Sequence, residues 1–345
     1  MENAIVRLAC DMMHGRQSFN YNDKTYNFSE AQNVLRQALK EACEGLDGKT
    51  PLARYKAMRH TEKKLQIFEI IEELVPLILK EGLEGDEFFM NFVDERNLSL
   101  GDKNEFFIPD NSTYIVAKIA NGIATPDRQR LDHGRRIAVD TSKHFVRAYE
   151  EFERFIAGRI DWPALCDKVG KSFLNEIWTD IFAAFSGIDQ NTIGLNATYV
   201  KGGTYNKATL NTLIEHVEAA TGEKAVIVGS KSALALCEGS EKSDSAKESM
   251  HNFGFYGNFD GTPMVMIRQK HAPGTDNFLF ADNVVYVVAG GDKFIKLVNE
   301  GEAIIDDRDF TQNSDETIEY RMSMRWGVAL AISGKIGKYT ITASE

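Results

Sequence analysis

Apolar residues recur at nearly every fourth position between Asp161 and Phe185, and this long stretch constrains the fold more than any other part of the sequence. Its apolar positions are Leu165, Val169, Phe173, Ile177, Ile181 and Phe185. Asp161 is suited to capping a helix, and Trp162 and Pro163 stand in the first turn, where proline is tolerated. The pattern predicts one amphipathic helix, unusually long for a domain of this size, with its apolar stripe buried in a core.

The first 85 residues are predicted to be helical. Ser29 is expected to cap one helix, and a second is expected to follow Pro51 until Pro76 kinks or restarts it, since proline removes a backbone donor. The sequence GDEFFMNFVDERN, residues 85–97, is interpreted as a short amphipathic piece that ends this region.

Residues 100–145 have a different character. The sequence FFIPDNSTYIVAKIANG is rich in β-branched and aromatic residues and is broken at Asn121-Gly122, which predicts two extended strands with turns. The polar stretch that follows has five arginines between Arg128 and Arg147 and is predicted to return as a strand. A hairpin this polar has little core of its own, so we expect it to need a partner surface.

A helix is predicted to precede the long one, from about Lys143 to Ala157, ended by Gly158. Its apolar residues are expected to share one face, and they are Val146, Tyr149, Phe152, Phe155 and Ile156.

Beyond about residue 191 the pattern is mixed α/β. NKATLNTLIEHVEAATG predicts a helix closed by Gly222, and AVIVGS predicts a buried strand leading into SALALCEG. Residues 238–249, EGSEKSDSAKES, are interpreted as a polar loop. Short strands are predicted in FGFYGNFDGTPMVMI, NFLFADNVVYVVAG and KFIKLVN, and residues 316–341 are predicted to form one long terminal strand.

The charge of the chain disfavours one class of function. Acidic residues number 51 against 40 basic ones, a formal charge of −11, whereas proteins that grip nucleic-acid phosphates show a basic face. Sequence-specific nucleic-acid binding is therefore disfavoured, while passive enclosure of DNA is compatible with an acidic wall. No apolar run approaches the ~20 residues that span a bilayer. The first residues lack a signal-peptide pattern, so synthesis and retention in a cytoplasm are expected.

The sequence predicts no catalytic residue, cofactor-binding residue or metal ligand. The four cysteines lack CxxC spacing and a nearby histidine pair, so reduced, buried thiols are expected at Cys10, Cys43, Cys166 and Cys237. The glycines Gly254, Gly257 and Gly261 have the wrong spacing for a dinucleotide loop and are interpreted as turns. Neither Gly202-Gly203 nor Gly290-Gly291 is followed by the GK[ST] of a phosphate loop.

Two further groups admit a functional and a plain interpretation. The acidic cluster Asp306, Asp307 and Asp309 has the ligand type of a calcium or magnesium site, but a solvated loop is the favoured interpretation. His216 is interpreted as an ordinary packed or surface histidine of its helix.

Three segments of the C-terminal half resemble one family. They are AVIVGSKSALALCEG, GNFDGTPMVMIRQKHAPGTDNFLFADN and YRMSMRWGVALAISGKIGKYTI. In these segments and in the order of pieces from about Asp86 to Ile341, the chain resembles the major capsid protein of tailed bacteriophages. Encapsulin shells and the floor of herpesvirus capsids share that fold. AVIVGSKSALALCEG resembles the strand and helix that line the capsomer axis in that family.

The resemblance implies an α+β fold with an N-terminal arm, an extended two-stranded loop, a long spine helix, a peripheral sheet domain and an axial α/β domain. The corresponding domain ranges are a helical arm at 1–85, the extended loop at 86–145, the spine helix and first part of the peripheral domain at 146–200, the axial domain at 201–305, and the return strands of the peripheral domain at 306–345.

The implied function is structural: self-assembly into hexamers and pentamers of an icosahedral phage head that encloses double-stranded DNA. Implied partners are other copies of the chain, a portal, and scaffolding or decoration proteins, with no membrane partner and no cofactor. The implied location is the virion. Residues 1–85 are expected to be a permanent arm or insertion rather than a removed scaffolding segment. Some relatives link subunits through a Lys–Asn bond, and Lys118 lies in the hairpin, but nothing in the sequence fixes its partner.

Two alternatives stay open at this point. One is an encapsulin-like compartment that holds a cargo enzyme. The other is a small-molecule α/β enzyme, which requires a titratable pair in a pocket, such as Asp306 with His271.

Overall fold

The computed structural model describes the regular core of the chain. It describes residues 82–102, 104–108, 134–151, 162–192, 195–237, 244–308, 317–332 and 335–342, together with positions 7–8, 11, 19–21, 24–27, 30–31, 33–34, 75–76, 79–80, 114, 116 and 128–129. Within these residues no helix has the length and apolar character needed to span a bilayer.

The helices and strands are bounded as follows. The helices are α1 (Glu87–Phe92), α2 (Trp162–Ser186), α3 (Lys207–Thr221), α4 (Lys231–Ala235) and α5 (Asp244–Phe253). The first strands are β1 (Phe19–Tyr21), β2 (Lys24–Tyr26), β3 (Val93–Leu98), β4 (Glu105–Ile108), β5 (Arg135–Ala138), β6 (Ser142–Glu151), β7 (Val200–Thr204) and β8 (Ala225–Ser230). The remaining strands are β9 (Asn258–Phe259), β10 (Thr262–Ile267), β11 (Val284–Ala289), β12 (Ile295–Glu300), β13 (Ile304–Arg308), β14 (Thr317–Leu330) and β15 (Gly337–Thr342).

Six strands form a mixed sheet in the order β7-β15-β11-β8-β10-β9. The predicted helix α3 covers one face of this sheet; Asn206 caps its start, and Gly222, in the left-handed region at φ 73°, ends it. Alternate residues of β11 point to opposite faces: Val285 and Val287 pack with α3, whereas Tyr286 belongs to the core around α2. This layered unit corresponds to the predicted α/β part of the fold.

A five-stranded sheet is built around the long strand β14, which pairs with β13, β12 and β6, while β12 also pairs with β3. The parallel pairing of β3 with β12 joins Val93 to Ile295 across the sequence. The sheet therefore depends on contacts between residues far apart in the chain.

The long helix α2 lies between the two sheets and confirms the predicted spine. Val169, Phe173, Ile177, Ile181 and Phe185 are all buried. The core around them includes Tyr286 of the six-stranded sheet and Leu297 of the five-stranded sheet. One continuous core thus holds both sheets and the spine helix.

The N-terminal residues that the structure describes also contact this core. Leu8, Ala31, Val75, Leu79 and Leu83 are buried members of the same cluster. The prediction that residues 1–85 are helical is wrong at Phe19–Tyr21 and Lys24–Tyr26, which pair as an antiparallel hairpin. Alternating aromatic residues favour a strand there. The helix predicted after Pro51 lies outside the described residues.

The predicted helix from Lys143 to Ala157 is wrong. Residues Ser142–Glu151 form β6, which pairs with β14 in an antiparallel ladder from Thr317↔Glu151 to Trp326↔Ser142. His144, Val146 and Ala148 are half-buried, whereas their neighbours Phe145, Arg147 and Tyr149 are exposed. The ladder with a distant strand overrides the local spacing that indicated a helix. Residues 152–161, including Gly158 and the predicted cap Asp161, lie outside the described residues.

Three smaller predictions also need correction. VDERNL is not part of an amphipathic piece but forms strand β3, because β12 pairs with its whole length. Part of the predicted loop at 238–249 belongs to helix α5, which starts at Asp244. The predicted single terminal strand is two strands, β14 and β15, and they pair in different sheets.

The strand pairing also bears on the predicted domain ranges. β12 lies in the five-stranded sheet although the range 201–305 assigns it to the axial domain. β15 lies in the six-stranded sheet although the range 306–345 assigns it to the peripheral domain. The division of the chain into five functional regions otherwise remains a prediction.

Candidate subunit-contact surface

The predicted hairpin leaves the five-stranded sheet through a short two-stranded stem. Strands β4 and β5 pair antiparallel from Glu105↔Ala138 to Ile108↔Arg135. The part between them is described only at residues 114, 116, 128–129 and 134. The prediction of an outgoing strand and a returning arginine-rich strand is confirmed for the stem.

An aromatic side chain anchors the stem on the outer face of the sheet, the face opposite α2. Phe106 is 1% exposed and packs with Val139 and with Val298 of β12. The guanidinium of Arg96 lies 4.0 Å from the centre of the Phe106 ring, and the Lys296 ammonium lies 5.4 Å from it. Cations at these distances are attracted to the ring face. The stem is thus held by an apolar contact with charged groups around it.

Two glycines permit the close approach of backbone that this anchoring needs. A Cβ on Gly327 of β14 would lie 2.2 Å from the Asp140 carbonyl oxygen, where the returning leg crosses the sheet. Gly134 has φ +72°, and a Cβ there would lie 2.3 Å from the Ile108 carbonyl oxygen. Larger residues are excluded at both positions unless the hairpin shifts.

Hydrogen bonds fix the base of the hairpin. The Asn104 side chain bonds to both backbone groups of Val139, accepting from its N–H at 2.9 Å and donating to its carbonyl. Glu300, at the end of β12, accepts from the Thr141 hydroxyl and from the Gly101 N–H. These two bonds lower the pKa of the Glu300 carboxyl below its ordinary value, with Thr141 the larger cause.

The hairpin and its base expose large apolar side chains. The exposed fractions are 65% for Leu100, 60% for Phe107, 52% for Tyr114 and 91% for Val116. Acidic residues stand around the base, and Asp102, Glu105 and Glu302 are exposed. An anchored element that presents apolar groups to solvent is typical of a surface that another chain covers.

A second exposed surface lies at the opposite edge of the same sheet. We define the aromatic–arginine strip as Phe145, Arg147, Tyr149 and Arg321. Phe145 and Tyr149 are 57% and 74% exposed. The Arg321 guanidinium lies 4.6 Å from the centre of the Phe145 ring, and its buried Nε has no hydrogen-bond partner among the described residues. Arg321 pairs directly with Arg147 in the ladder, so cationic groups adjoin each other on this face.

The two edges differ in character. β3 and the hairpin base, at one edge, combine exposed apolar groups with charges of both signs: Arg136 pairs with Glu105 at 3.1 Å, and Asp102 and Glu302 are exposed acidic groups. The aromatic–arginine strip at β6, at the other edge, combines aromatic and basic groups. A contact between two unlike surfaces of successive copies of a chain is heterologous, and such contacts close into rings when the rotation permits.

A cavity of about 640 Å³ lies between the inner face of β6 and the spine helix. The His144 ring stacks on Trp326 with a centroid distance of 3.7 Å, and Trp326 Nε1 donates to Asp180 Oδ2 at 2.8 Å. His144 Nε2 lies 4.0 Å from the same carboxylate oxygen. This cluster ties β6 and β14 to α2.

The residues considered for chemistry in the sequence are dispersed. Asp306 and Asp307 fall in strand β13 rather than in a loop, and their side chains, like Asp309, lie outside the described residues. Among the described residues, no group of histidine, cysteine and acidic side chains has the arrangement of a metal site. His271 forms an isolated bridge with Phe278. The proposed pairing of Asp306 with His271 is therefore untested.

Several other predictions can be located. His216 is exposed on α3, with its ring centre 6.2 Å from that of Tyr199. Gly254 and Gly261 have positive φ, as the interpretation as turns requires. Cys237 is buried, and its burial raises the pKa of the thiol to about 12. The side chains of the other three cysteines, and Lys118, lie outside the described residues.

Sequence reasoning missed the residues that define the two edges. Glu300 ends an ordinary strand, and no local signal marks it as a partner of Gly101 and Thr141. The strip had a signal, since Phe145, Arg147 and Tyr149 alternate with half-buried residues in the manner of a half-exposed strand, but the helical spacing was preferred.

Comparisons with known proteins bear on the family of the chain. The model of a family described as "SPbeta prophage-derived putative capsid protein YonB" matches residues 12–340. No curated protein matches the sequence.

Solved structures that the chain resembles include chains of two capsids and one procapsid. A chain of the mature capsid of bacteriophage PhiM1 is 13% identical, with 75% of this chain and 88% of that chain covered and a TM-score of 0.49. A chain of the capsid of a native GTA particle is 9% identical, with 74% of this chain and 89% of that chain covered and a TM-score of 0.48. A chain of the procapsid of satellite phage P4 is 11% identical, with 78% of this chain and 91% of that chain covered and a TM-score of 0.46. The family assignment depends on the match over residues 12–340.

Proposed function

The chain belongs to the YonB family of SPbeta prophage-derived capsid proteins, and we propose that it is the major shell subunit of a phage head, assembling as hexamers and pentamers around double-stranded DNA. The family match confirms the resemblance predicted from the sequence. Membership of a capsid family indicates a structural role in the virion rather than an enzymatic one, and it favours a phage head over a cargo compartment.

The observation that carries the proposal is the hairpin, which is fixed at its base and exposes large apolar side chains among its polar ones. Phe106 and the hydrogen bonds of Glu300 and Asn104 bind it to the sheet. Phe107, next to the buried Phe106, points away from the sheet and is 60% exposed. In a monomer the apolar groups of the hairpin stay exposed to water, whereas contact with a neighbouring subunit buries them.

The partner surface that we propose is the aromatic–arginine strip of the next subunit. Its exposed Phe145 and Tyr149 offer apolar area, and its arginines are proposed to meet Asp102 and Glu302, the exposed acidic groups at the hairpin base. Charge complementarity of this kind sets the register of a contact more than its affinity. Repetition of the contact around a ring links each subunit to two neighbours, and many modest contacts together hold a shell.

The wider set of partners follows from the same proposal. A phage head requires a portal, and scaffolding or decoration proteins are candidate partners. The formal charge of −11 suits a wall that encloses DNA without binding its phosphates. Synthesis is proposed to occur in the host cytoplasm.

The proposal is tested by expressing the chain alone and following its mass by size-exclusion chromatography with light scattering and its shape by negative-stain electron microscopy. Rings of subunits or closed shells are expected. A chain that stays at its monomer mass of 38.7 kDa at every concentration, with or without a scaffolding protein, would contradict the proposal.

A variant tests the role of the hairpin. In Phe107→Ser with Val116→Ser, two exposed apolar groups are lost from the hairpin, and burying each contributes about 1.5–3 kcal/mol. A loss of about 3 kcal/mol per contact weakens association by roughly 100-fold, so we expect soluble monomers with unchanged unfolding. The control is Phe278→Ser, which removes an equally exposed phenylalanine, 60% exposed, outside the hairpin. Assembly of the double variant at the wild-type concentration would refute the assigned contact.

A further inference from the structure

Both legs of the hairpin meet at one carboxylate where the hairpin leaves the sheet. On the outgoing leg, the Gly101 N–H donates to Glu300 Oε1 at 2.9 Å. On the returning leg, the Thr141 hydroxyl donates to Glu300 Oε2. Each oxygen of the carboxylate therefore holds a different leg.

The support of this carboxylate is rigid. Glu300 is the last residue of β12, which is paired on one side with β3 and on the other with β14. The Gly301 N–H donates to the Leu98 carbonyl at 2.8 Å, which joins the end of β12 to the end of β3. The Asn299 side chain adds bonds to Glu95 and Asn97 of β3. The backbone is thus held on both sides up to Asn299, and Glu300 itself pairs with Leu98 of β3.

The other contacts of the stem have different effects. Asn104 ties the outgoing leg to Val139 of the returning leg, which fixes the legs to each other. Phe106 packs on Val298 and holds the stem on the face of the sheet. Glu300 joins both legs to the end of a central strand, and two separate bonds to one planar group resist rotation of the stem about the Phe106 contact.

We propose that Glu300 is a positioning residue of assembly, whose carboxylate fixes the direction in which the hairpin leaves the sheet. This inference rests on the proposed function, because the direction of the hairpin decides where Phe107 and Val116 meet the next subunit. An extended leg adds about 3.3 Å of reach per residue, so a small rotation at the base becomes a displacement of several ångströms along the hairpin. The geometry of the contact with the next subunit therefore depends on how firmly this carboxylate holds the base.

The charge state of Glu300 agrees with the assignment. Bonds from Thr141 and Gly101 lower the pKa of the carboxyl, and the nearby Arg325 acts in the same direction. The group is ionised at neutral pH and accepts at both oxygens. A glutamine at this position keeps one acceptor for the Gly101 N–H, and its amide nitrogen can donate to the Thr141 oxygen. An alanine keeps neither bond.

Hydrogen exchange of the full chain, kept unassembled at low concentration, measures the clamp directly. In Glu300→Ala, backbone amides in 99–108 and 134–141 are expected to exchange about tenfold faster, because the bonds from Gly101 and Thr141 to the carboxylate are lost. The exchange rates of Glu300→Gln are expected to stay close to those of the wild type. Thr141→Val, which removes one of the two bonds, is expected to have rates between those of the wild type and of Glu300→Ala. The control Glu302→Ala removes the same charge from an exposed neighbour and is expected to change nothing.

Electron microscopy of assembled material measures the positioning role. Glu300→Ala is expected to give open or irregular assemblies, and Glu300→Gln to restore closed shells of uniform diameter. Unchanged exchange in Glu300→Ala overturns the clamp. Faster exchange with uniform, wild-type shells overturns the positioning role and leaves the proposed function intact. A wild-type chain that never assembles overturns the proposed function, and with it the positioning role, while the exchange data still decide whether Glu300 holds the hairpin.

Discussion

Replacement of Phe185 by alanine tests whether the spine helix joins both sheets into one core. Phe185 is 0% exposed and lies near the end of α2. Its ring centre is 4.0 Å from that of Tyr286 in β11 and 5.6 Å from that of Phe294, which precedes β12. Phe88 of α1 and Phe280 lie at 5.9 and 6.0 Å. One side chain therefore contacts aromatic residues beside each of the two sheets.

The expected cost of Phe185→Ala follows from this packing. A buried phenylalanine replaced by alanine costs about 3–5 kcal/mol, and each aromatic pair contributes about 0.5–1.5 kcal/mol beyond its buried area. With four ring neighbours around a site that cannot collapse easily, we expect the upper part of that range, about 4–5 kcal/mol. For a chain of 345 residues, a loss of this size lowers the midpoint of thermal unfolding by about 5–7 °C.

The assay is urea unfolding of the unassembled chain, followed by tryptophan fluorescence and far-UV circular dichroism. The matched control is Phe253→Ala, because Phe253 is 60% exposed and its loss is expected to cost less than about 1 kcal/mol. Phe185→Leu, which keeps most of the apolar volume, is expected to cost less than about 1.5 kcal/mol. A cost below about 1.5 kcal/mol for Phe185→Ala would refute the inference that one tightly packed core joins helix and sheets.

Two further predictions concern charged groups. Lys338 Nζ donates to the carbonyls of Ser186 and Ile188 at 3.1 and 2.6 Å and thereby joins the end of α2 to β15. Lys338→Met is expected to lower the free energy of unfolding, measured by urea titration, by about 1.5–3 kcal/mol. The control Lys293→Met replaces an exposed lysine and is expected to stay near wild type. Protection of the hairpin base from hydrogen exchange, corrected for intrinsic rates, is expected to be greatest above pH 4.5 and to weaken to the level of Glu300→Gln as the pH falls through the lowered pKa of Glu300, because the neutral carboxyl keeps the two bonds without their charge.

The sign of the second prediction follows from the direction of the shift. A carboxyl whose pKa is lowered by folding stabilises the folded form when ionised, so its contribution disappears on acidification. The variant Glu300→Gln has no such group and is expected to lose this pH step. Loss of protection already between pH 7 and 5 would contradict the assignment to Glu300. For Lys338, an unchanged free energy of unfolding would show that the two carbonyls do not depend on its ammonium.

Local patterns predicted the helices well where one face of the helix is buried throughout. The spacing from Val169 to Phe185 predicted α2, and Gly222 ends α3 as expected. Both signals are local, because burial of a stripe with a period of 3.6 residues and capping of free backbone groups need only neighbouring residues. The strand AVIVGS was also predicted, since both of its faces are buried and its sequence is continuously apolar.

The errors occurred where a distant strand decides the local structure. Residues 142–151 have apolar positions at helical spacing, yet they pair with β14, more than 160 residues later in the chain. VDERNL is polar enough for a helix end or a loop, yet it completes the sheet beside β12. A strand gains its stability from the neighbour it pairs with, and the identity of that neighbour is not written in the local sequence.

The sequence by itself determined the spine helix, the α/β layer, the polar hairpin and the resemblance to capsid proteins, because these depend on periodicity, on capping and on the order of pieces. Only the tertiary structure decided which residues form the contact surface. Glu300 is separated from Gly101 by about 200 positions, and the strip combines residues of β6 and β14 that no spacing rule connects. Side chains from distant segments become one surface only when the sheet has fixed their register, because register decides which face each residue occupies.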